Sequence, residues 1–353
     1  ALSSAASDVY KRQILPLMNA ENTGTCGFQK GGTANPMISS DQIAKNYDIA
    51  GVRKANLPGL HMLLLGFFAG MFIALAGAAA SVASADITNP SAARIVSALV
   101  FPAGLAMVIC NGSELFTGNC LMVISLLDHK ITFKALMKNY LFVYLGNLIG
   151  SLFVSVLFVY GHIPGLYDGL LAQNMVNTAV TKVSLSFSEV FFRGILCNVM
   201  VCVAVWMGMS ATHVSGKILA VYPPISAFVL CGFEHCVANM FYIPAGMMAA
   251  SAYGIAAEGL NIGTFILNNL IPATIGNIFG GVIVVGFLYW YLFLREKTKL
   301  PFLNNFLKKE SCSAGFSACG GSRKRHSTIP PQCDPCGAFF FHRTHFPMKE
   351  KKP

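Results

Sequence analysis

The chain has 353 residues, of which 54% are apolar and only 11% charged, with mean hydropathy +0.59; an ordinary soluble domain carries about 25% charged residues. That balance excludes a disordered chain, a soluble globular enzyme and a nucleic-acid binder as readings. The net charge of +10 belongs to the ends: residues 56–294 hold seven basic and seven acidic side chains, and the other eighteen basic and eight acidic groups lie outside them.

In chain order, residues 1–45 read as an N-terminal tail, cytoplasmic and partly disordered. Residues 46–299 read as a transmembrane domain, and 300–353 as a basic, disordered C-terminal tail. Neither end has the layout of a signal peptide. Cys312, Cys319, Cys333 and Cys336, with His326, His342 and His345, contain one C-x-x-C and no second pair, so no metal is expected there.

A helix needs about 20 apolar residues to cross a bilayer. Residues 58–82 fit one crossing. Residues 95–127 are too long for one crossing and too short for two, and Asn111, Gly112, Ser113 and Glu114 interrupt them. Residues 139–160 and 185–209 fit a third and a fourth. Residues 218–257 are again overlong and contain Pro223, Pro224, Gly232, Glu234, His235, Asn239 and Pro244; residues 270–294 fit the last crossing. The expectation is an all-α membrane protein with six segments, the second and fifth broken.

Lys and Arg in the short connections set orientation. Arg53, Lys54, Lys130, Lys134, Lys138, Lys217, Arg295, Lys297 and Lys299 fall on one side, and only Arg94 and Lys182 near the other. Both termini are therefore expected in the cytoplasm, in a multi-pass protein of the inner (plasma) membrane.

The chain also repeats. GSELFTGN at 112–119 and GFEHCVAN at 232–239 share Gly, Glu and Asn at an offset of 120; GNLIG at 146–150 and GNIFG at 276–280 match at 130. Three segments per half make the halves enter from opposite sides, an inverted 3+3 repeat (about 57–161 and 185–294) with its site at the interrupted helices. Irregular backbone at membrane depth survives only where protein buries it or where it lines a cavity. The half-helix N-termini it exposes attract anions.

Matched residues read as scaffold. Glu114 and Glu234 would accept from the unpaired N–H groups of the breaks, with Asn119 and Asn239 as local support; the alternative is a proton relay. His235 is matched by Leu115, so the repeat does not require it, and an ionisable group inside a membrane is a functional hypothesis. An ordinary pKa of about 6.5 suits it to proton exchange. Thr117, matched by Val237, would bond a His nitrogen or cap the second half-helix. Asn198 reads as an interhelical hydrogen bond. Lys182 would snorkel to the headgroups or draw anions into a vestibule. Arg193 has only Glu189 as a candidate partner. Six cysteines in apolar runs (Cys110, Cys120, Cys197, Cys202, Cys231 and Cys236) read as small core residues.

NGSELFTGN at 111–119, CGFEHCVANMFYIP at 231–244, GNLIG and NLIPATIGN resemble the formate/nitrite transporter family, over roughly residues 35–299. The resemblance implies an aquaporin-like six-segment protomer, five protomers in a ring and a pore in each. It implies His235 as the central histidine, Thr117 as its hydrogen-bond partner, and Lys182 with Asn198 as the accompanying polar pair. Phe101, Leu105 and Phe228 would form an external apolar constriction, and Leu115 with Phe116 a cytoplasmic one. The partners would be a small anion, protons and the lipid bilayer, with no cofactor, metal or nucleic acid. The expected function is passive or proton-coupled transport of formate, and of nitrite, with the anion protonated near His235 because a bare anion in an apolar ring is costly. The competing reading is a hydrosulfide or other weak-acid or neutral-solute channel of the same fold. An intramembrane enzyme would need a convergent nucleophile and base, and neither H-E-x-x-H nor G-x-S-x-G occurs in the membrane body.

Overall fold

The structure, a computed structural model, describes residues 37–295. The expected C-terminal tail with its cysteines and histidines, and residues 1–36 of the expected N-terminal tail, lie outside the described residues. Ten helices organise the described chain: α1 (Ser40–Ala55), α2 (Gly59–Ser84), α3 (Pro90–Cys110), α4 (Phe116–Leu127), α5 (Phe133–Tyr160), α6 (Leu170–Ser184), α7 (Phe187–Ser210), α8 (Val214–Cys231), α9 (Cys236–Tyr253) and α10 (Ile262–Phe293). Six of them (α2, α3, α5, α7, α8 and α10) are long and apolar enough to cross a membrane. Among the described residues there is no strand beyond an isolated bridge between Met37 and Ala211.

Helix α1 begins six residues inside the expected tail. Ser39 caps it by accepting from the Gln42 N–H, Asp41 sits in its first turn, and Arg53 and Lys54 in its last, all in the sense that favours the helix dipole. Ile43, Ala44, Tyr47, Asp48, Gly51 and Ala55 are buried. That three-to-four spacing makes one face, too polar on average to read as a crossing. The face packs against α4 and the ends of α7 and α10, where Leu121, Ile124, Trp206 and Val285 complete an apolar cluster. Ser125 Oγ donates to Asp48 O at 3.0 Å. Lys130 bridges Asp48 and Asp128, and the bond to Asp48, more than that to Asp128, raises its pKa.

The overlong second and fifth stretches are each divided. Residues 111–115 separate α3 from α4, and 232–235 separate α8 from α9. Each division has a glycine in the left-handed region at or next to its start, Gly112 at φ +68° and Gly232 at φ +70°, where a Cβ would be strained. These glycines are the first matched residues of the two motifs.

The GNLIG and GNIFG glycines let helices of this chain approach each other. A Cβ on Gly146 would lie 2.9 Å from Gly66 Cα, and one on Gly276 would lie 3.1 Å from Gly194 Cα. Helix α5 thereby crosses α2, and α10 crosses α7, nearly backbone to backbone. The small residues are thus used between helices of one chain. What remains outward is apolar: Leu141, Leu145, Ile149, Phe153 and Leu157 on α5 are exposed, and so are their counterparts 130 residues on, Ile271, Ile275, Phe279, Ile283 and Phe287. Two continuous apolar ladders facing outward suit lipid or another copy, not water. Cys110 and Cys231 depart from the expected core placement and are exposed, while Cys120, Cys197, Cys202 and Cys236 are buried free thiols.

Replacing Gly146 or Gly276 by Ala forces the crossing helices apart and should lower stability by about 1–3 kcal/mol each. Gly118→Ala, whose Cβ would meet Val205 at an ordinary 3.4 Å, should change the melting temperature in detergent far less.

Candidate functional site

Backbone groups freed by a break inside a membrane must find partners in the protein. Two asparagines supply them. Asn147 Oδ1 accepts from the Phe116 N–H at 2.9 Å, and its Nδ2 donates to Gly66 O and Glu114 O at 2.8 and 3.0 Å. Asn277 does the same one half later: Oδ1 accepts from the Cys236 N–H at 2.9 Å, and Nδ2 donates to Gly194 O and Glu234 O at 2.8 and 2.9 Å. The N–H groups of Glu114 and Glu234 donate to Leu65 O and Arg193 O. The expectation that the two carboxylates take up these N–H groups is therefore corrected: amide side chains do it, because one amide satisfies a donor and two acceptors at once.

The carboxylates instead anchor two matched clusters. Lys54 donates to both oxygens of Glu114 at 2.8 Å, and Asn119 Nδ2 donates to Glu114 at 2.7 Å and to Asn139 Oδ1 at 2.8 Å. In the second cluster Lys182 donates to Glu234 at 2.8 Å, and Asn239 Nδ2 donates to Glu234 at 2.7 Å and to Asn269 Oδ1 at 2.6 Å. Both ion pairs are largely shielded, with side chains 17% and 6% exposed in one and 16% and 4% in the other. Lys54, Asn139, Asn147, Asn269 and Asn277 are functional-site neighbours that the sequence reading missed. The signal was present: Asn139 and Asn269 keep the same 130-residue offset as the glycine motifs.

Between the clusters lies His235, buried at 3% exposure. It holds the N-cap of α9, with Nδ1 accepting the Ala238 N–H at 3.0 Å. A backbone N–H can only donate, so Nδ1 carries no proton, and the neutral ring has its hydrogen on Nε2. Nε2 is 2.9 Å from Thr117 Oγ1, on the first turn of α4. Nε2–H therefore donates and Thr117 Oγ1 accepts, which leaves the threonine hydroxyl hydrogen for a further acceptor. Of the two roles foreseen for Thr117, it takes the histidine bond; α4 has Leu115 at its N-cap without a side-chain cap bond, and its Phe116 N–H goes to Asn147. The Gly118 carbonyl beside Thr117 accepts from Tyr47 Oη at 2.9 Å, which ties α1 to this turn.

Aromatic rings flank the histidine. Phe228 stacks on it at 6.0 Å between centroids, and Phe101 meets Phe228 edge to face at 5.6 Å. Leu105 is buried one turn beyond Phe101. A cavity of about 220 Å³ touches Phe101, Phe228, Lys182, His235, Asn239 and Tyr242. A wider recess of about 730 Å³ shares Lys182 and adds Glu234, Arg94 and Arg193. Leu115 is buried, and Phe116 is held edge-on against Tyr140 and Tyr144 at 5.5 and 4.9 Å. Tyr144 Oη and Thr274 Oγ1 are hydrogen-bonded at 2.8 Å.

Not every residue named from the sequence meets its foreseen neighbour. Lys182 and Asn198 are not bonded to each other: Lys182 is held by Glu234, and Asn198 Nδ2 donates to Asn277 O at 2.6 Å. Arg193 reaches Glu189 only at 4.0 Å, between half-exposed side chains, because Glu189 closes a capping box with Ser186. No group of three or more His, Cys, Asp or Glu side chains that could hold a metal occurs among the described residues.

The profile of the family described as formate/nitrite transporter matches residues 41–291. The chain is 40% identical over 260 residues to "Uncharacterized transporter YrhG" of Bacillus subtilis, covering 72% of this chain and 94% of that one. It is 39% identical over 268 residues to "Formate channel FocA" of Escherichia coli K12, with the same coverage. A solved structure described as "Pentameric formate channel with formate bound" superimposes with a TM-score of 0.60 at 33% identity, covering 67% of this chain and 98% of that one.

The paired clusters predict that Glu114→Gln or Glu234→Gln, which strands a shielded lysine, destabilises the protein by about 3–5 kcal/mol. Pairing Glu114→Gln with Lys54→Met should recover much of that loss, read as the melting temperature in detergent.

Proposed function

This chain belongs to the formate/nitrite transporter family, a multi-pass membrane family, and from that premise we propose that it carries small monovalent anions, formate first and nitrite second, with protonation of the anion near His235. The observation that carries the proposal is the bond between Thr117 and His235, which joins the two interrupted helices at 2.9 Å. Family membership and the named formate channels among its relatives support transport of small anions.

The physical problem is to pass a charge through an apolar ring. A carboxylate there forfeits its hydration and takes up a proton instead. Phe101, Phe228 and Leu105 act as the outer ring, and Leu115 with Phe116 as the inner one. The Thr117 hydroxyl, its oxygen committed to His235, presents its hydrogen to an anion oxygen between the rings. A proton then reaches the anion from water held beside the histidine. Charging His235 would require a proton on Nδ1 and so would break the cap bond to Ala238. That coupling makes the helix start at 236 resist a permanently charged ring, and it favours a histidine that positions and polarises over one that holds the proton at rest.

The two halves enter the membrane in opposite senses about a pseudo-twofold axis, with both termini in the cytoplasm of the inner membrane. Five copies assemble, each with its own path, through the apolar faces that each protomer leaves outward.

His235→Asn separates the two duties of this residue, since Asn is as good a cap but does not titrate. In proteoliposomes the unaltered protein should take up labelled formate faster as external pH falls. The variant should keep its fold and lose most of that pH dependence. An unchanged pH profile in the folded variant removes the histidine from the mechanism.

A further inference from the structure

The width of a passage between two halves of a molecule is set by whatever spans the halves. Beside Phe116 the frame that repeats so closely elsewhere does not repeat: Phe116, Tyr140 and Tyr144 are aromatic, and the residues at their offsets, Cys236, Leu270 and Thr274, are not. Tyr140 and Tyr144 stand one turn apart on α5, so both rings leave the same face of the helix. Both meet Phe116 edge to face, with interplanar angles of 74° and 79°, a geometry that aromatic pairs favour. Their hydroxyls are tied to different bodies. Tyr140 Oη donates to Cys120 O on α4 at 3.2 Å, within the half that carries Phe116. Tyr144 Oη is bonded to Thr274 Oγ1 on α10, in the other half. Residues 144 and 274 each precede by three the asparagine that satisfies a break, Asn147 and Asn277.

A phenylalanine side chain swings between rotamers unless its neighbours fill the alternative places. Two tyrosine rings pack against Phe116, and each is pinned at its far end by a hydrogen bond. We propose that Tyr140 and Tyr144 are positioning residues that clamp the Phe116 ring, and that the Tyr144–Thr274 bond, by spanning the halves, sets the width of the inner ring and with it the largest monocarboxylate that passes. The Tyr140 bond holds the ring to its own helix; the Tyr144 bond holds that helix at a fixed distance from the opposite wall. The proposal rests on the reading of Leu115 and Phe116 as the inner ring and adds to it a determinant of substrate size. Formate passes a ring that stays in place. Lactate, larger by a branched two-carbon group, needs the ring to give way, and the clamp resists that.

The readout is the lactate-to-formate uptake ratio, with both substrates labelled, in proteoliposomes. Tyr144→Phe keeps the ring and drops the hydroxyl; the ratio should rise about fivefold, the worth of one hydrogen bond. Thr274→Val should raise it by the same factor, and the two together should do no more than either alone. Thr274→Ser, which keeps the hydroxyl, should stay within about twofold of the unaltered protein. Ser151→Ala removes another buried hydroxyl bond of α5, to Gly70 O at 3.2 Å, and should also leave the ratio within about twofold. An equal rise in Ser151→Ala, or no rise in Tyr144→Phe and Thr274→Val, overturns the clamp. Phe116→Leu should raise the ratio by itself, and Tyr144→Phe added to it should change nothing further, since no ring is left to hold; a full further rise overturns the clamp. A rise in Phe116→Leu with none in Tyr144→Phe overturns the clamp and leaves the inner-ring reading standing. An unchanged ratio in Phe116→Leu overturns the inner-ring reading, and this inference with it. No formate uptake at all by the unaltered protein overturns the transport reading itself.

Discussion

A polypeptide can interrupt a helix inside lipid only if something else takes the hydrogen bonds that the interruption frees, and in this protein two asparagines do so. Asn147 and Asn277 each bind one N–H and two carbonyls across three stretches of chain. Each sits on a long helix beside a glycine that brings that helix against its neighbour. The close crossing and the broken helix are therefore one device: without the glycine the amide could not reach, and without the amide the break would be unsatisfied. The Glu–Lys–Asn clusters then lock the segments that start after each break.

On this matched frame the chemistry is unmatched. Thr117 and His235 meet across the centre, and their counterparts are Val237 and Leu115. The frame is satisfied by its own amides and ion pairs, and the bond at the centre is made by residues that the repeat does not require.

The sequence made the six apolar segments, the two interruptions and His235 legible, because hydropathy, segment length and a stranded ionisable group leave direct traces. It misassigned the bonds within the breaks, since Glu114 lies next to the free N–H groups in sequence while Asn147 lies 31 residues away and is brought there by packing. Helix α1 was passed over because a helix with one buried face and a polar back has no crossing signature. Lys182 read as snorkelling to the headgroups or drawing anions into a vestibule, because nothing local says that a helix start 52 residues later presents a carboxylate to it. Long-range amide and ion-pair partners are set by tertiary approach, and one-dimensional spacing records them only where a repeat reports the same position twice.

Tyr144 and Thr274 occupy equivalent places in the two halves, 130 residues apart, and yet they are hydrogen-bonded to each other at 2.8 Å. The tie from α5 to α10 depends on the two halves differing at this place: two tyrosines would compete for the space and two threonines would leave it part empty, whereas a large residue answering a small one fills it and pairs both hydroxyls.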